Sequence, residues 1–244
     1  MWGNSHVRFL GGWESAMTPG YPTNPPRALT RRRPTMPDLA LLYDELAETY
    51  AAGRQRFDTT PILQEFAGPL PPGACVLDAG CGAGEPVARY FVNRGDTVTG
   101  IDVSERMLAL ARRQVPAATF QRMDLRALTF PPAAFDAIAA VYVVFHLPRA
   151  EHAALFAGFE RLLKPGGRLL LTLATREYTG QDEFDGEVEF LGRRLPYSHD
   201  RPAVALGKLA AAGLAVVGAR LIETGGETFY WVIARKPNPA EGDR

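Results

Sequence analysis

The sequence is short of the features that mark most specialised classes of protein. Only two cysteines, Cys75 and Cys81, stand among its 244 residues. They are too close and too poorly placed, one leading into a strand and one in a turn, for a disulfide framework. Lys plus Arg and Asp plus Glu each total 27, so no net charge advertises a nucleic-acid partner. No apolar run approaches the roughly 20 residues of a membrane span. The opening stretch MWGNSHVRFLGGWESAM lacks a charged start followed by an apolar segment, which argues against a signal peptide. Together these absences predict a soluble, reduced, cytoplasmic protein with neither nucleic acid nor a membrane as partner. What is abundant is apolar: 46% of the residues are hydrophobic, enough for one core-bearing domain with short appendages.

The chain divides by composition. Residues 1–35, rich in proline and arginine and without an apolar period, are predicted to be a disordered extension. Residues 36–236 are predicted to form the domain, and 237–244 a flexible tail. From Asp38, Leu39, Leu42, Tyr43, Leu46 and Tyr50 recur at helical spacing. Beyond GPLPPG the types alternate. ACVLDAG reads as strand, EPVARYFVNRG as helix, TVTGID as strand and SERMLALARRQ as a helix capped by Ser104. ATFQRMD and FDAIAAVYV read as strands, AEHAALFAGFERLL as helix, and PGGRLLLTLA as a fifth strand. After the helix RPAVALGKLAAAG come LAVVGARLIE and ETFYWVIARK, joined only by TGG. A link that short forces an antiparallel hairpin. The prediction is an α/β fold, Rossmann-like and doubly wound, whose seven-stranded, mostly parallel sheet ends in an antiparallel hairpin strand.

The turn AGCGAGEP, between the first strand and its helix, marks a ligand site, because backbone N–H groups converge at such a helix start. A phosphate-binding P-loop needs a Gly-Lys-Ser/Thr ending that is absent here. A dinucleotide fingerprint fits Gly80 and Gly82, but its third glycine falls on Glu85. Glu85 would face the pyrophosphate, and two like charges at about 4 Å cost roughly 4 kcal/mol. The acids point to a different ligand. Asp78, Asp102 and Asp124 follow the first three strands, and in an open parallel sheet these ends border one crevice. Several carboxylates suit a ligand with ammonium, sulfonium and hydroxyl groups and no phosphate, as in S-adenosylmethionine.

VLDAGCGAG, GIDVSERMLALAR, MDLRALTFPPAAFDAIAAVYVVFHL and LLKPGGRLLLT, in this order and spacing, resemble the class I S-adenosylmethionine-dependent methyltransferases over about residues 38–236. The resemblance implies a role for each matching position. Gly80 and Gly82, with Cys81 between them, let the backbone approach the methionine part, and Asp78 lies beneath it. Asp102 accepts the two ribose hydroxyls, Val103 and Met107 flank the adenine, and Asp124 accepts from its amino group beside the Leu125 backbone. Val141 and Tyr142 floor the pocket, and a lid helix carries Tyr43 and Tyr50 near the methionine carboxylate. The implied activity is methyl transfer to a small-molecule acceptor at oxygen, nitrogen or carbon, with no metal site. Two alternatives stand beside it: a non-catalytic member that binds the cofactor or a protein partner, and a dinucleotide-dependent oxidoreductase.

The acceptor side is less legible. A hydroxyl or protonated amine needs a base, and His146 and His199 are the candidates, titrating near neutrality when unperturbed. His146 also has a structural reading, holding the loop after the fourth strand. His152 is expected to face solvent. Thr175 to Asp200 reads as an insertion with six acids ahead of Asp200, Glu177, Asp182, Glu183, Asp185, Glu187 and Glu189, either a solvated loop or a mouth for a cationic amine. No Asn-Pro-Pro-Tyr/Phe run follows the fourth strand, which argues against amino groups of bases or amides as acceptors.

Overall fold

Where an apolar run is bounded by glycine turns, as in CVLDA, a strand buried on both faces results; Val76, Leu77, Asp78 and Ala79 are all buried. The structure is a computed structural model and describes residues 28–29 and 36–238. In chain order its elements are β1 (Ala28–Leu29), α1 (Met36–Gly53), α2 (Thr60–Ala67), β2 (Cys75–Ala79), α3 (Val87–Arg94), β3 (Thr97–Asp102), α4 (Glu105–Gln114) and β4 (Thr119–Arg122). There follow β5 (Phe135–Ala140), α5 (His152–Leu162), β6 (Leu163–Leu173), α6 (Arg176–Thr179), β7 (Phe184–Phe190) and β8 (Arg193–His199). The last are α7 (Pro202–Ala211), β9 (Ala215–Thr224) and β10 (Glu227–Arg235).

Seven strands form the main sheet in the order β4-β3-β2-β5-β6-β10-β9. Strands β4, β3, β2, β5 and β6 are parallel, and β10 runs against both β6 and β9. The strand order reverses between β2 and β5, so their carboxyl ends open the crevice where such sheets hold ligands. One face is covered by α2, α3 and α4, whose Phe66, Phe91 and Leu108 are wholly buried. The other is covered by α5 and α7 through Phe156, Phe159 and Leu209. Most of the 1–35 extension and residues 239–244 lie outside the described residues.

Three expectations need correction. The acidic stretch after Thr175 is a short helix and a hairpin, not a loop. In β7 the buried Phe184, Gly186, Val188 and Phe190 alternate with Asp185, Glu187 and Glu189, which line the outward face. The acids are the polar half of a period of two. Second, Ala28 and Leu29 pair with Val188 and Glu187 of β7, so this part of the extension is an added strand. Third, His152 is 1% exposed. It shares a helix face with Leu155, Phe156 and Phe159, at i+3, i+4 and i+7, and its Nε2 lies 3.2 Å from the Leu147 carbonyl oxygen.

The start of α4 is capped as its sequence predicts. Ser104 Oγ accepts from the Met107 amide at 3.0 Å and donates to Asp44 of α1 at 2.5 Å. Replacing Ser104 by Ala should therefore lower the unfolding free energy by about 1–2 kcal/mol, as losing an N-cap does. The exposed Val217→Ala should leave it within about 0.5 kcal/mol. Denaturant unfolding checks both, and equal midpoints for Ser104→Ala and the parent would contradict the capping account.

Candidate active site

The site begins where β2 and β3 end. The amides of Gly80 and Cys81 both donate to the Ile101 carbonyl, at 2.8 and 2.9 Å, binding the turn to the neighbouring strand. Gly80 has φ +81, and a Cβ there would lie 2.5 Å from Val143, so only glycine fits. At Gly82, φ +50, a Cβ would meet nothing closer than Tyr50 at 3.9 Å, which leaves that backbone open to a ligand. The Gly82 amide donates to Asp102 Oδ2 at 2.9 Å, and the Ser104 amide to Asp102 Oδ1 at 2.9 Å. Each oxygen keeps a further lone pair. Asp102 is thus more than an acid at the crevice edge. It ties the glycine turn to the start of α4, so its removal also loosens the turn.

Two adjoining cavities share this turn. The larger, about 590 Å³, is lined by Tyr43, Tyr50, Gly80, Gly82, Asp102, Val103, Met107, Asp124, Leu125, Tyr142 and His146, with Leu39, Ile101, Met123, Val143 and Leu147. The smaller, about 310 Å³, is lined by Tyr50, Arg54, Asp78, Gly80, Cys81, Gly82, Glu85, Pro86, Val87, Val141 and Tyr142. The structure thus brings together every residue singled out from the sequence except His199, which lines neither cavity. His199 ends β8, buried, with Nε2 2.7 Å from Thr179 Oγ1 and its ring stacked on Phe184. Leu39 was read only as part of a helix period, and Ile101, Met123, Val143 and Leu147 went unnoticed as ordinary apolar residues. Arg54 was missed because it follows the lid helix without a motif; its guanidinium lies 4.0 Å over the Tyr142 ring and 4.3 Å over Phe57.

Electrostatics differ along the site. Asp78 is 2% exposed and its Oδ2 has no hydrogen-bond partner; burial pushes its carboxyl up to about 8. Burial also raises Asp102, against the amides of Ser104, Gly82 and Val103. Asp124 accepts from the Arg126 amide at 3.0 Å and pairs with its guanidinium at 3.2 Å. Glu227, at the start of β10, is raised by burial to about 7, opposed by Arg54. Burial holds His146 down, at about 4. An unpartnered carboxyl oxygen and a guanidinium on one cavity fit the ammonium and carboxylate of an amino acid. Asp102 fits a diol, and Asp124 an amino group in the same cavity. That set of groups matches S-adenosylmethionine; Glu85, beside the turn, is paired with Arg89 at 2.9 Å.

Comparison with known proteins agrees. Residues 76–167 match the family model described as a methyltransferase domain. The 27-O-demethylrifamycin SV methyltransferase of Amycolatopsis mediterranei is 36% identical over 121 residues, covering 46% of this chain and 44% of that protein. The 2-methyl-6-phytyl-1,4-hydroquinone methyltransferase of Synechocystis is 30% identical over 193 residues, 75% of this chain and 58% of that one. The solved [4+2]-cyclase SpnF shares the fold with a TM-score of 0.67 at 20% identity, over 87% of this chain and 100% of that chain. The chain therefore carries a domain of the class I S-adenosylmethionine-dependent methyltransferase family. It spans about half the length of the curated relatives it matches.

The raised carboxyls make stability depend on pH. Asp78 at about 8 and Glu227 at about 7 keep in the fold a proton that the unfolded chain releases near pH 4. Their contribution is complete below that value and is lost as pH rises through 7 to 8. His146 and His152, both held at about 4 by burial, act oppositely, but only below about pH 6.5. Between pH 6.5 and 8 the unfolding free energy should therefore fall, by up to about 1.4 kcal/mol per pH unit for each carboxyl. Asp78→Asn should flatten that slope in denaturant unfolding; an unchanged slope would contradict the assignment.

Proposed function

We propose that this chain transfers a methyl group from S-adenosylmethionine to a small-molecule acceptor, and that His146 takes the acceptor's proton. The observation that carries the reading is how the charged groups divide between the two cavities that share the glycine turn: Arg54 and Asp78, with its unpartnered Oδ2, line one, and Asp102 and Asp124 line the other. When bound, the cofactor supplies an activated methyl group on a sulfonium sulfur. The rest of the work is alignment and exclusion of water by the chain. Arg54 and Asp78 hold the amino-acid end, Asp102 the ribose, and Asp124 with the Leu125 backbone the adenine. Val103 and Met107 enclose the ring, and Tyr43 and Tyr50 on α1 close the cavity from above. Named relatives that methylate small molecules support this class of acceptor, as does the neutral charge balance. Residues 36–236 form the catalytic unit in this reading. Two free thiols, Cys75 and Cys81, fit a cytoplasmic setting. No helix among the described residues is long and apolar enough to cross a membrane.

His146 is preferred to His199 because it lines the cavity. A neutral imidazole held at about 4 is a weak base, yet the acceptor oxygen becomes a strong acid as its bond to methyl forms, so a weak base suffices. The same weakness favours a second reading, in which the cofactor is bound and not consumed. Methyl-labelled S-adenosylmethionine, incubated with the protein and a small-metabolite extract, separates the two. Label is expected in an extractable product. His146→Asn, which keeps a donor toward Pro196 and removes Nε2, should slow transfer by about 10²–10⁴ with cofactor affinity unchanged. Label retained wholly on the cofactor would contradict transfer and support the second reading.

A further inference from the structure

His146 already carries a phenol on the nitrogen proposed as base. The hydroxyl oxygen of Tyr43 lies 2.7 Å from Nε2, inside the larger cavity. The tautomer follows from the other nitrogen. Nδ1 is 2.8 Å from the Pro196 carbonyl oxygen, and a carbonyl only accepts, so the ring proton sits on Nδ1. Nε2 therefore holds a lone pair, and the Tyr43 hydroxyl donates to it. The Tyr43 ring stands edge-on to His146, with centroids 5.4 Å apart, and to Tyr50, at 5.7 Å.

The surroundings restrict what can replace that hydroxyl. The larger cavity's lining includes neither lysine nor arginine, so an anionic acceptor meets no counter-charge. Its carboxylates, Asp102 and Asp124, already accept from backbone amides and are taken by the cofactor in the proposed reading. The rings against His146 are those of Tyr43, Phe145 and Tyr197, with centroids 5.4, 4.8 and 5.1 Å away, and the cavity it lines adds Tyr50 and the apolar Leu39, Val143 and Leu147. An ammonium acceptor would have to give up a proton before it could act as a nucleophile, and no carboxylate stands at Nε2 to receive it. An aromatic hydroxyl needs only what Tyr43 now uses: an apolar slot and one acceptor lone pair.

We propose, resting on the reading of His146 as the base, that the acceptor is an uncharged phenol and that Tyr43 keeps its place on Nε2 until it binds. The acceptor hydroxyl then donates to Nε2 and Tyr43 turns aside with α1. As the phenol oxygen forms its bond to the methyl carbon, the S–C bond breaks and its electron pair stays on sulfur, giving a neutral thioether. The hydroxyl proton passes to Nε2, and the resulting imidazolium releases it to solvent.

The test uses the full chain, titrated first with S-adenosylhomocysteine and then, at saturation, with 4-ethylphenol, its methyl ether 4-ethylanisole, or benzylammonium. The parent protein should bind the phenol more tightly than the ether or the ammonium. Tyr43→Phe keeps the ring and removes the competing hydroxyl, so it should bind 4-ethylphenol about 2- to 10-fold more tightly. With any phenol that turns over, it should lower KM. His146→Asn should lose the preference for phenol over ether. Weaker phenol binding by Tyr43→Phe, or equal binding of phenol and ether by the parent, would overturn the proposal while leaving the cofactor reading intact. No binding of S-adenosylhomocysteine in the first titration would overturn both.

Discussion

One carboxylate, that of Asp102, joins the parts on which the site depends. Its two oxygens accept from Gly82, in the turn after β2, and from Ser104, which begins α4. Ser104 in turn donates to Asp44 of α1, and Asp44 also accepts from the Arg106 amide at 3.0 Å. Glycine turn, α4 and α1 are therefore held through a short chain of charge-assisted bonds. Because the carboxylate of Asp102 is held by two backbone amides and lines the cavity, it can meet a ligand there without needing to reorganise. Such preorganisation is what lets a small site hold a flexible nucleoside at low entropic cost.

The amino-acid end follows a different logic. Asp78 and Glu227 are buried carboxyls, and burial makes each resist ionisation. Arg54 is the cation on that side, packed over Tyr142 and Phe57. Phe145 stacks on Tyr197 and on Phe229, and Tyr178 stacks on Tyr197, so the wall behind the site is rigid and apolar. A zwitterion suits this place because it brings both charges at once. Tyr142 stands where the two environments meet, at φ +58, its amide donating to Thr172 at 2.6 Å.

Much of this was legible in the residue pattern. Strand and helix periods and Ser104 as the cap of α4 reappear in the structure. The acids at the strand ends identify the crevice because a parallel sheet brings those ends together whatever the loops do. The acceptor side resisted for a physical reason. The distance between His199 and the cavity depends on how the β7–β8 hairpin folds back, and no local spacing encodes that. The alternation FDGEVEF did encode the hairpin itself, but six acids in the stretch drew the reading toward a loop. His152 was misjudged although its spacing to Leu155, Phe156 and Phe159 marks an inward face. Arg54 had no such signal: Phe57 is its neighbour in the chain, but Tyr142, which brings it to the cavity, comes from a distant segment.

The central claim is that Asp102 binds the ribose of S-adenosylmethionine while holding the turn. Titration calorimetry of S-adenosylmethionine against the parent and against Asp102→Asn tests it most directly. Asn preserves size and one acceptor oxygen, so cooperative unfolding should persist and fold integrity can be verified in the same sample. The account predicts that affinity falls about 10- to 100-fold, the loss of one charge-assisted bond. A folded Asp102→Asn protein that binds S-adenosylmethionine as tightly as the parent would contradict it.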